Sequence, residues 1–153
     1  RCMPNTPSLV GEGATGLFAN DHCSVEHKTL AEDIMTAVGI ACWLQAEQDI
    51  DTVTALSGSG PAYYFLMMEA MEKAAVAMGL TPEVARQLSI QTALGAGKLA
   101  ASSDVAPDEL RRRVTSPGGT TEQALLSFAN QGFESTVAKA MLAAQQRAAE
   151  LAK

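Results

Sequence analysis

Residues 60 to 78 read GPAYYFLMMEAMEKAAVAM, and apolar side chains follow one another without interruption from Tyr63 to Met68. Pro61 suits the first turn of a helix, because the N–H that it lacks is not needed there and its fixed φ is already helical. The stretch therefore predicts a helix over Ala62–Met78 with apolar surface on every side of its first turns. A single small domain rarely surrounds a helix completely, so we expect a partner chain, most simply a symmetric copy, to cover part of it.

The segment Ser57-Gly58-Ser59-Gly60 precedes this helix. Its glycines predict a loop that separates the helix from a helical turn starting near Asp51. Ser59 stands between glycines, as a nucleophilic serine does in G-x-S-x-G, but that pattern requires Gly where Ser57 stands. A serine hydrolase that uses Ser59 or Ser116 with a histidine is nevertheless kept as an alternative.

A second informative stretch is Val114-Thr115-Ser116-Pro117-Gly118-Gly119-Thr120-Thr121-Glu122, which separates two helical patterns. Pro lacks a backbone donor and Gly reaches φ values closed to other residues, so the chain must bend there. We expect Thr120 or Thr121 to cap the next helix, which runs to Asn130 and leaves hydroxyl and unpaired N–H groups at its start. Such a helix end attracts a carboxylate or a phosphate. An anion-binding site and a plain helix–turn–helix corner with a Thr cap both remain open.

Composition narrows the class of protein. The 153 residues fit one domain, and 47% hydrophobic but only 5% aromatic residues favour a mainly α fold. A formal net charge of -6 argues against a nucleic-acid partner. No apolar run approaches the roughly 20 residues of a membrane span, so we expect a soluble, cytoplasmic protein that does not bind membranes. The three cysteines have no C-x-x-C spacing, so neither a disulfide framework nor a metal site is predicted.

The N-terminal third predicts short strands and one helix. Arg1–Pro7 resembles the end of a strand that enters a proline-fixed loop, and without an initiator Met we expect the chain to begin inside a larger unit. Gly11–Gly16 matches G-x-G-x-x-G, but a phosphate loop needs a strand before it and a helix after it. We predict instead a short strand at Leu17–Asn20. A helix capped by Ser24 should follow and stop at Gly39, and Ile40–Leu44 should form an edge strand.

The remaining two thirds predict helices. Thr81-Pro82-Glu83 opens a helix that extends to Ala101, because Thr caps, Pro suits the first turn and an acid complements the helix dipole. Pro107–Arg113 and Phe133–Leu151 complete the predicted set. Glu47, Asp49 and Asp51 lie before the Ser/Gly segment, where acids either perform acid/base chemistry or form a solvated helix start.

Four motifs together identify a resemblance. They are Met3-Pro4-Asn5-Thr6-Pro7, Glu12-Gly13-Ala14-Thr15, Thr54-Ala55-Leu56-Ser57-Gly58-Ser59-Gly60-Pro61-Ala62-Tyr63 and Val114-Thr115-Ser116-Pro117-Gly118-Gly119-Thr120-Thr121. The chain closely resembles the C-terminal part of pyrroline-5-carboxylate reductase, the last enzyme of proline synthesis. The resemblance implies an interlaced helical dimerisation domain, preceded by two short strands left from a Rossmann-type α/β domain. Residues 1–45 would be that remnant with a linking helix, and residues 46–153 the all-α dimerisation and substrate-binding domain.

The resemblance also implies a reaction and its residues. A hydride would pass from NADPH or NADH, bound mainly by the absent Rossmann domain, to the C=N carbon of 1-pyrroline-5-carboxylate, and no metal is required. The implied partners are this substrate and a second copy of the chain, with a higher assembly of dimers possible. The implied roles are substrate carboxylate binding for Ser116, Gly118, Gly119 and Thr120, a catalytic contact with the ring nitrogen for Thr121, an acid near the substrate for Glu47, and cofactor contacts for Asn5 and Arg113. The alternative is a non-catalytic helical assembly module.

Overall fold

Helices dominate the chain, and short strands occur only near its N-terminus within the part that the structure describes, residues 1–152 of a computed structural model. This arrangement confirms the prediction of a mainly α fold preceded by short strands. The strands are β1 Cys2–Met3, β2 Gly13–Leu17 and β3 Gly39–Trp43, with a 3-10 helix at Thr6–Val10. The helices are α1 Val25–Thr36, α2 Asp49–Val53, α3 Gly60–Ala77, α4 Pro82–Ala101, α5 Pro107–Arg113, α6 Thr120–Asn130 and α7 Phe133–Leu151, and a π-helical segment, Thr54–Gly58, joins α2 to α3.

The strands form one sheet in the order β1-β2-β3. β1 pairs antiparallel with β2 and aligns Cys2 with Leu17, whereas β2 pairs parallel with β3 and aligns Gly13 with Gly39. The edge position predicted for β3 is confirmed within this three-stranded sheet. The sheet therefore contains one strand more than the two that the resemblance implies.

β2 covers the last four residues of the G-x-G-x-x-G motif, Gly13 to Gly16, so the strand predicted at Leu17–Asn20 was placed too late. Glycines here allow neighbouring segments to approach β2 closely. A Cβ on Gly16 would lie 2.8 Å from Val53 Cγ1, and one on Gly39 would lie 2.0 Å from the carbonyl oxygen of Gly13. Sequence periodicity does not report such contacts between distant segments. Most of the motif is thus a tightly packed strand, in agreement with its rejection as a phosphate loop.

α1 begins as predicted and ends early. The Ser24 hydroxyl accepts the His27 N–H at 3.2 Å, and His27 Nδ1 accepts the Ser24 N–H at 3.4 Å. This is a capping box with His in place of the usual acid. The predicted stop at Gly39 was wrong, because Gly39 already belongs to β3, with φ of +155°, and the helix ends at Thr36.

The predicted loop before α3 was also wrong, since the chain stays helical from Asp49 to Ala77 apart from the junction at Ser59. In the π-helical segment the Ser59 N–H reaches the Thr54 carbonyl at 2.7 Å. Thr54 and Ser57 turn their hydroxyls back onto carbonyls one turn earlier, at 2.8 and 3.1 Å. These side chains satisfy their own hydrogen bonds inside a helix, so their polarity did not produce a loop.

The chain divides into two compact units. The strand unit contains Arg1–Tyr63 and the final segment from Ala138, and the helical unit contains Tyr64–Val137. The boundary proposed between residues 45 and 46 concerns domains of the complete fold and stays a prediction. The strand unit has a small core in which Leu17, Ile50 and Ala55 are buried.

The helical unit has almost no core of its own. Ala85 and Ser89 are its only buried residues, and the Ser89 hydroxyl ties α4 to α3 by donating to the Met68 carbonyl at 3.1 Å. Large apolar side chains of α3 and α4 are instead exposed, among them Tyr64 (69%), Phe65 (61%), Leu66 (65%) and Leu88 (56%). Large apolar side chains exposed in such number indicate an interaction surface.

No helix within residues 1–152 combines the length and the apolarity that a membrane span requires.

We predict that residues 1–153 form dimers at micromolar concentration and that Phe65→Glu shifts them towards monomer. Removing one phenylalanine from an interface forfeits about 1.5–3 kcal/mol of burial, and a charge there adds a desolvation cost. Light scattering measures the change. Lys73→Ala on the same helix is the control, since it removes only an exposed ion pair with Glu69. A stable monomer of the unsubstituted chain would contradict this prediction.

Candidate functional site

The loop between α5 and α6 begins where α5 ends at Arg113. The Thr115 N–H donates to the Arg112 carbonyl at 3.1 Å, and the Thr115 hydroxyl donates to the Arg111 carbonyl at 2.6 Å. Two carbonyls of the last turn are thereby satisfied without water. Thr115 thus fixes the end of α5 and the point from which the loop starts.

Both glycines of the loop are needed for its shape. Gly118 has φ of +72°, a conformation that side chains disfavour. A Cβ on Gly119 would lie 2.9 Å from the Ser116 carbonyl oxygen, which accepts the Gly119 N–H at 3.0 Å. The turn from Ser116 to Gly119 is therefore closed by a backbone hydrogen bond and leaves no room for a side chain at its end.

The predicted threonine cap is absent. Gly119 is the N-cap of α6, no side chain caps it, and Thr120 is already the first helical residue. The reason is that the turn closes onto Gly119 and starts the helix one residue before a Thr120 cap would. The Glu122 carboxylate instead folds back and accepts the Gly118 N–H at 2.8 Å. A Glu three residues after an N-cap often accepts the N–H of the N-cap itself. Glu122 has this spacing from Gly119 but accepts the N–H one residue earlier, so the spacing signalled a carboxylate that folds back, a signal that the threonine prediction overlooked.

This arrangement decides which donors of the loop are free. The N–H groups of Gly118 and Gly119 have internal acceptors, and helical bonding resumes with the Gln123 N–H. The N–H groups of the first helical turn, those of Thr120 and Thr121 included, have no acceptor within a helix.

Hydroxyl groups surround the same helix start. Among residues 1–152, the hydroxyls of Ser116, Thr120 and Thr121 make no hydrogen bond, and all three residues are exposed. Free amides and hydroxyls at a helix N-terminus can hold a carboxylate or a phosphate. Within the helical unit, the structure therefore brings together the predicted residues from Ser116 to Thr121.

Arg113, at the end of α5, is held by an acid. Arg113 Nε donates to Glu109 Oε1 at 2.8 Å, and Arg112 Nε donates to Glu109 Oε2 at 2.7 Å. The hydrogen bond from Arg113, followed by that from Arg112, holds the pKa of the Glu109 carboxyl below its ordinary value. The stability that this lowered pKa contributes is present above the unfolded-state pKa and is lost as pH falls through the folded-state pKa. The predicted cofactor contact of Arg113 stays a prediction.

Glu47 and Asn5 lie in the strand unit. Glu47 Oε1 accepts a hydrogen bond from Arg1 Nη1 at 3.0 Å, and the Glu47 side chain is 55% exposed. Glu47 precedes α2, at whose first residue the Asp49 carboxylate accepts the Ala46 N–H at 3.2 Å. The role of Glu47 near a substrate stays a prediction.

Asn5 belongs to the first of the four sequence motifs and joins it to the second and the third. Its Oδ1 accepts the Ala14 N–H at 2.9 Å, and its Nδ2 donates to the Ser57 carbonyl at 3.0 Å. In a regular helix the Ser57 carbonyl would accept from residue 61, but Pro61 has no N–H to donate. Asn5 therefore supplies a donor that the helix lacks. Its predicted contact with the cofactor remains open, and one amide hydrogen of Asn5 is left for it.

The hydrolase alternative finds no support in the strand unit. His27 Nδ1 is occupied as the acceptor of the Ser24 N–H, and no histidine within residues 1–152 hydrogen-bonds to Ser59. Residues 1–152 also hold no group of three or more His, Cys, Asp or Glu side chains that could bind a metal ion.

We predict that Asn5→Ala destabilises the protein by about 2 kcal/mol or more, because a part-buried carbonyl and N–H lose their partner and each unpaired group costs about 1–3 kcal/mol. For a chain of this size, thermal unfolding should show a melting point lower by about 4–8 °C. Asn130→Ala, at the exposed end of α6, is the matched control and should change the melting point little. Equal melting points for the two variants would remove the structural role assigned to Asn5.

Comparisons with known proteins identify the family of the chain. The family model described as pyrroline-5-carboxylate reductase dimerisation matches residues 47–151. A pyrroline-5-carboxylate reductase of Pseudomonas aeruginosa is 57% identical over 153 residues, which are 100% of this chain and 56% of that protein. One from Haemophilus influenzae is 47% identical over 152 residues, covering 99% of this chain and 56% of that protein. The chain thus spans little more than half the length of these curated relatives.

Solved structures give the same result for the fold. A pyrroline-5-carboxylate reductase from Coxiella burnetii superposes with a TM-score of 0.96 at 51% identity, over 100% of this chain and 57% of that one. The Plasmodium falciparum pyrroline carboxylate reductase, solved with NADP bound, gives a TM-score of 0.88 at 37% identity, over 96% of this chain and 60% of that one. The family model covers residues 47–151, more than half of the chain, and the chain therefore belongs to the pyrroline-5-carboxylate reductase dimerisation family.

Proposed function

We propose that this chain is the dimerisation and substrate-binding part of a reductase that converts 1-pyrroline-5-carboxylate to L-proline with NADPH or NADH, in the cytoplasm. The observation that carries the proposal is the start of α6, where free N–H groups and three free hydroxyls face solvent together. The substrate has one carboxylate and one ring nitrogen. N–H groups at a helix start match the carboxylate. A threonine hydroxyl, which can accept as well as donate a hydrogen bond, matches the protonated ring nitrogen.

The free donors suggest how the substrate would be held. The N–H groups of Thr120 and Thr121 and the hydroxyls of Ser116 and Thr120 would bind the carboxylate. Gly118 and Gly119 would act through the shape that they give the loop, because their own N–H groups have internal acceptors. The Thr121 hydroxyl would then contact the ring nitrogen, and Glu47 would supply an acid near the ring.

The protein's contribution to the reaction would be to bind and orient. When bound, the reduced nicotinamide supplies the hydride, which adds to the C=N carbon while the nitrogen holds a proton and becomes the amine of proline. Residues of this chain can lower the reaction barrier in two ways. They can fix the position of the ring, and they can stabilise its protonated imine.

The G-x-G-x-x-G motif does not supply a cradle for the cofactor's phosphates, because its residues from Gly13 to Gly16 belong to strand β2. We propose that Asn5 and Arg113 add contacts to a cofactor held mainly by another domain. The P. falciparum relative, solved with NADP bound, favours a nicotinamide cofactor of this kind.

A second copy of the chain is the proposed partner. The apolar faces of α3 and α4 are exposed in the isolated chain, and the matching family model is described as a dimerisation domain. An assembly of several dimers remains part of the proposal.

The proposed activity is tested by purifying the longer protein that contains this chain and following NADPH oxidation with 1-pyrroline-5-carboxylate, with proline identified as the product. Residues 1–153 alone should not catalyse the reaction and should bind NADPH weakly, since they lack a phosphate loop in the described part. Micromolar cofactor affinity of residues 1–153 would show that a nucleotide site has been overlooked. Absence of proline formation by the longer protein would favour the assembly module.

For the longer protein we predict that Thr121→Val lowers kcat/KM for pyrroline-5-carboxylate about ten- to a hundredfold and leaves cofactor affinity nearly unchanged. A hydrogen bond to a charged group is worth about 1.5–3 kcal/mol, and Val keeps the shape of Thr. Capping does not complicate the result, because no side chain caps α6.

Two further variants control this measurement. Thr92→Val repeats the substitution at an exposed position of α4 and should leave the kinetics unchanged. Thr120→Val should mainly raise KM, since its hydroxyl is assigned to the carboxylate. If Thr121→Val had the kinetics of Thr92→Val, the contact with the ring nitrogen would be refuted.

A further inference from the structure

We infer that Glu122 is a positioning residue that orders the carboxylate-binding loop, an inference that rests on the proposed function. Glu122 was not among the residues predicted from the sequence, and in the proposed mechanism it touches neither substrate nor cofactor. It acts through Gly118, whose N–H donates to Glu122 Oε2 at 2.8 Å.

The loop depends on few contacts. Between Ser116 and Gly119 the turn is closed by one backbone hydrogen bond, from the Gly119 N–H to the Ser116 carbonyl at 3.0 Å. Ser116, Pro117 and Gly118 are all exposed, so packing does not hold them. Glu122 is the one side chain within residues 1–152 that ties this turn to α6.

The position of the turn matters because the proposed donors come from two sides of it. Ser116 lies before the glycines, whereas the N–H groups of Thr120 and Thr121 lie after them. A carboxylate can engage both only if the turn holds Ser116 beside the helix start. Without Glu122, substrate binding would have to order the loop, and this would weaken binding without changing the chemical step.

The hydrogen bond of Glu122 favours substrate binding by ordering the loop, whereas its negative charge disfavours it. A carboxylate beside an anion site repels an anionic substrate. A neutral side chain that still accepts the Gly118 N–H should therefore order the loop equally well and bind substrate at least as tightly. Glutamine fulfils both conditions, whereas alanine offers no acceptor.

The test compares Glu122→Ala and Glu122→Gln in the longer protein. We expect Glu122→Ala to raise KM for pyrroline-5-carboxylate about tenfold with kcat nearly unchanged, as befits a charge-assisted hydrogen bond that orders the site. Glu122→Gln should return KM to the wild-type value or below it. Glu83→Ala, which removes another first-turn acid from α4, controls for a general effect on helix stability and should leave KM unchanged.

Hydrogen–deuterium exchange of the peptide that contains residues 114–122 gives a second readout, independent of turnover. Exchange should be faster in Glu122→Ala than in wild type and should return to the wild-type rate in Glu122→Gln. A KM raised equally in both variants, or raised in neither, would overturn the inference while wild-type activity upheld the proposed function. A wild-type protein without reductase activity would instead refute the proposed function, and exchange would then still decide whether Glu122 orders the loop.

Discussion

The helical unit cannot bury its own apolar side chains, and the rest of the structure depends on this constraint. Between Tyr64 and Val137 only Ala85 and Ser89 are buried, although α3 and α4 are rich in Leu, Met and aromatic residues. Burial of apolar surface is the main favourable term in folding, so a unit with so little of it needs another surface. The need to bury this apolar surface therefore accounts both for the exposed face of α3 and for the membership in a dimerisation family.

Helix boundaries were predictable where short-range chemistry sets them. Thr81 caps α4 with its hydroxyl, Pro107 opens α5, and Gly132, with φ of +71°, separates α6 from α7. Each of these signals acts within one turn of the chain, so the sequence alone suffices. Strand β2 and the π-helical segment were missed because non-local contacts decide them: the approach of Gly16 to Val53, and the donor that Asn5 supplies to Ser57.

In the candidate site, too, some features could be predicted from the local sequence and others could not. That the stretch from Ser116 to Thr121 would turn and start a helix followed from Pro117 and the two glycines. Which amides remain free did not follow, because it depends on whether a threonine hydroxyl or the Glu122 carboxylate folds back on the loop. Both are acceptable at a helix start. The structure selects Glu122, and this single choice leaves the threonine hydroxyls without a structural partner.

A hydroxyl with no partner at an exposed helix start is available to a ligand, whereas a capping hydroxyl is not. Had Thr120 or Thr121 capped α6, a substrate would have had to compete with the helix for that oxygen, at about 1 kcal/mol of helix stability. Glu122 accepts the Gly118 N–H, and Gly119 is the N-cap although it has no side chain. Neither threonine hydroxyl is therefore hydrogen-bonded at the start of α6. The loop therefore separates the residues that shape it from the residues that would bind. Gly118, Gly119 and Glu122 set the backbone, and the hydroxyls of Ser116, Thr120 and Thr121 stay free, as the proposed binding of a carboxylate and a ring nitrogen requires.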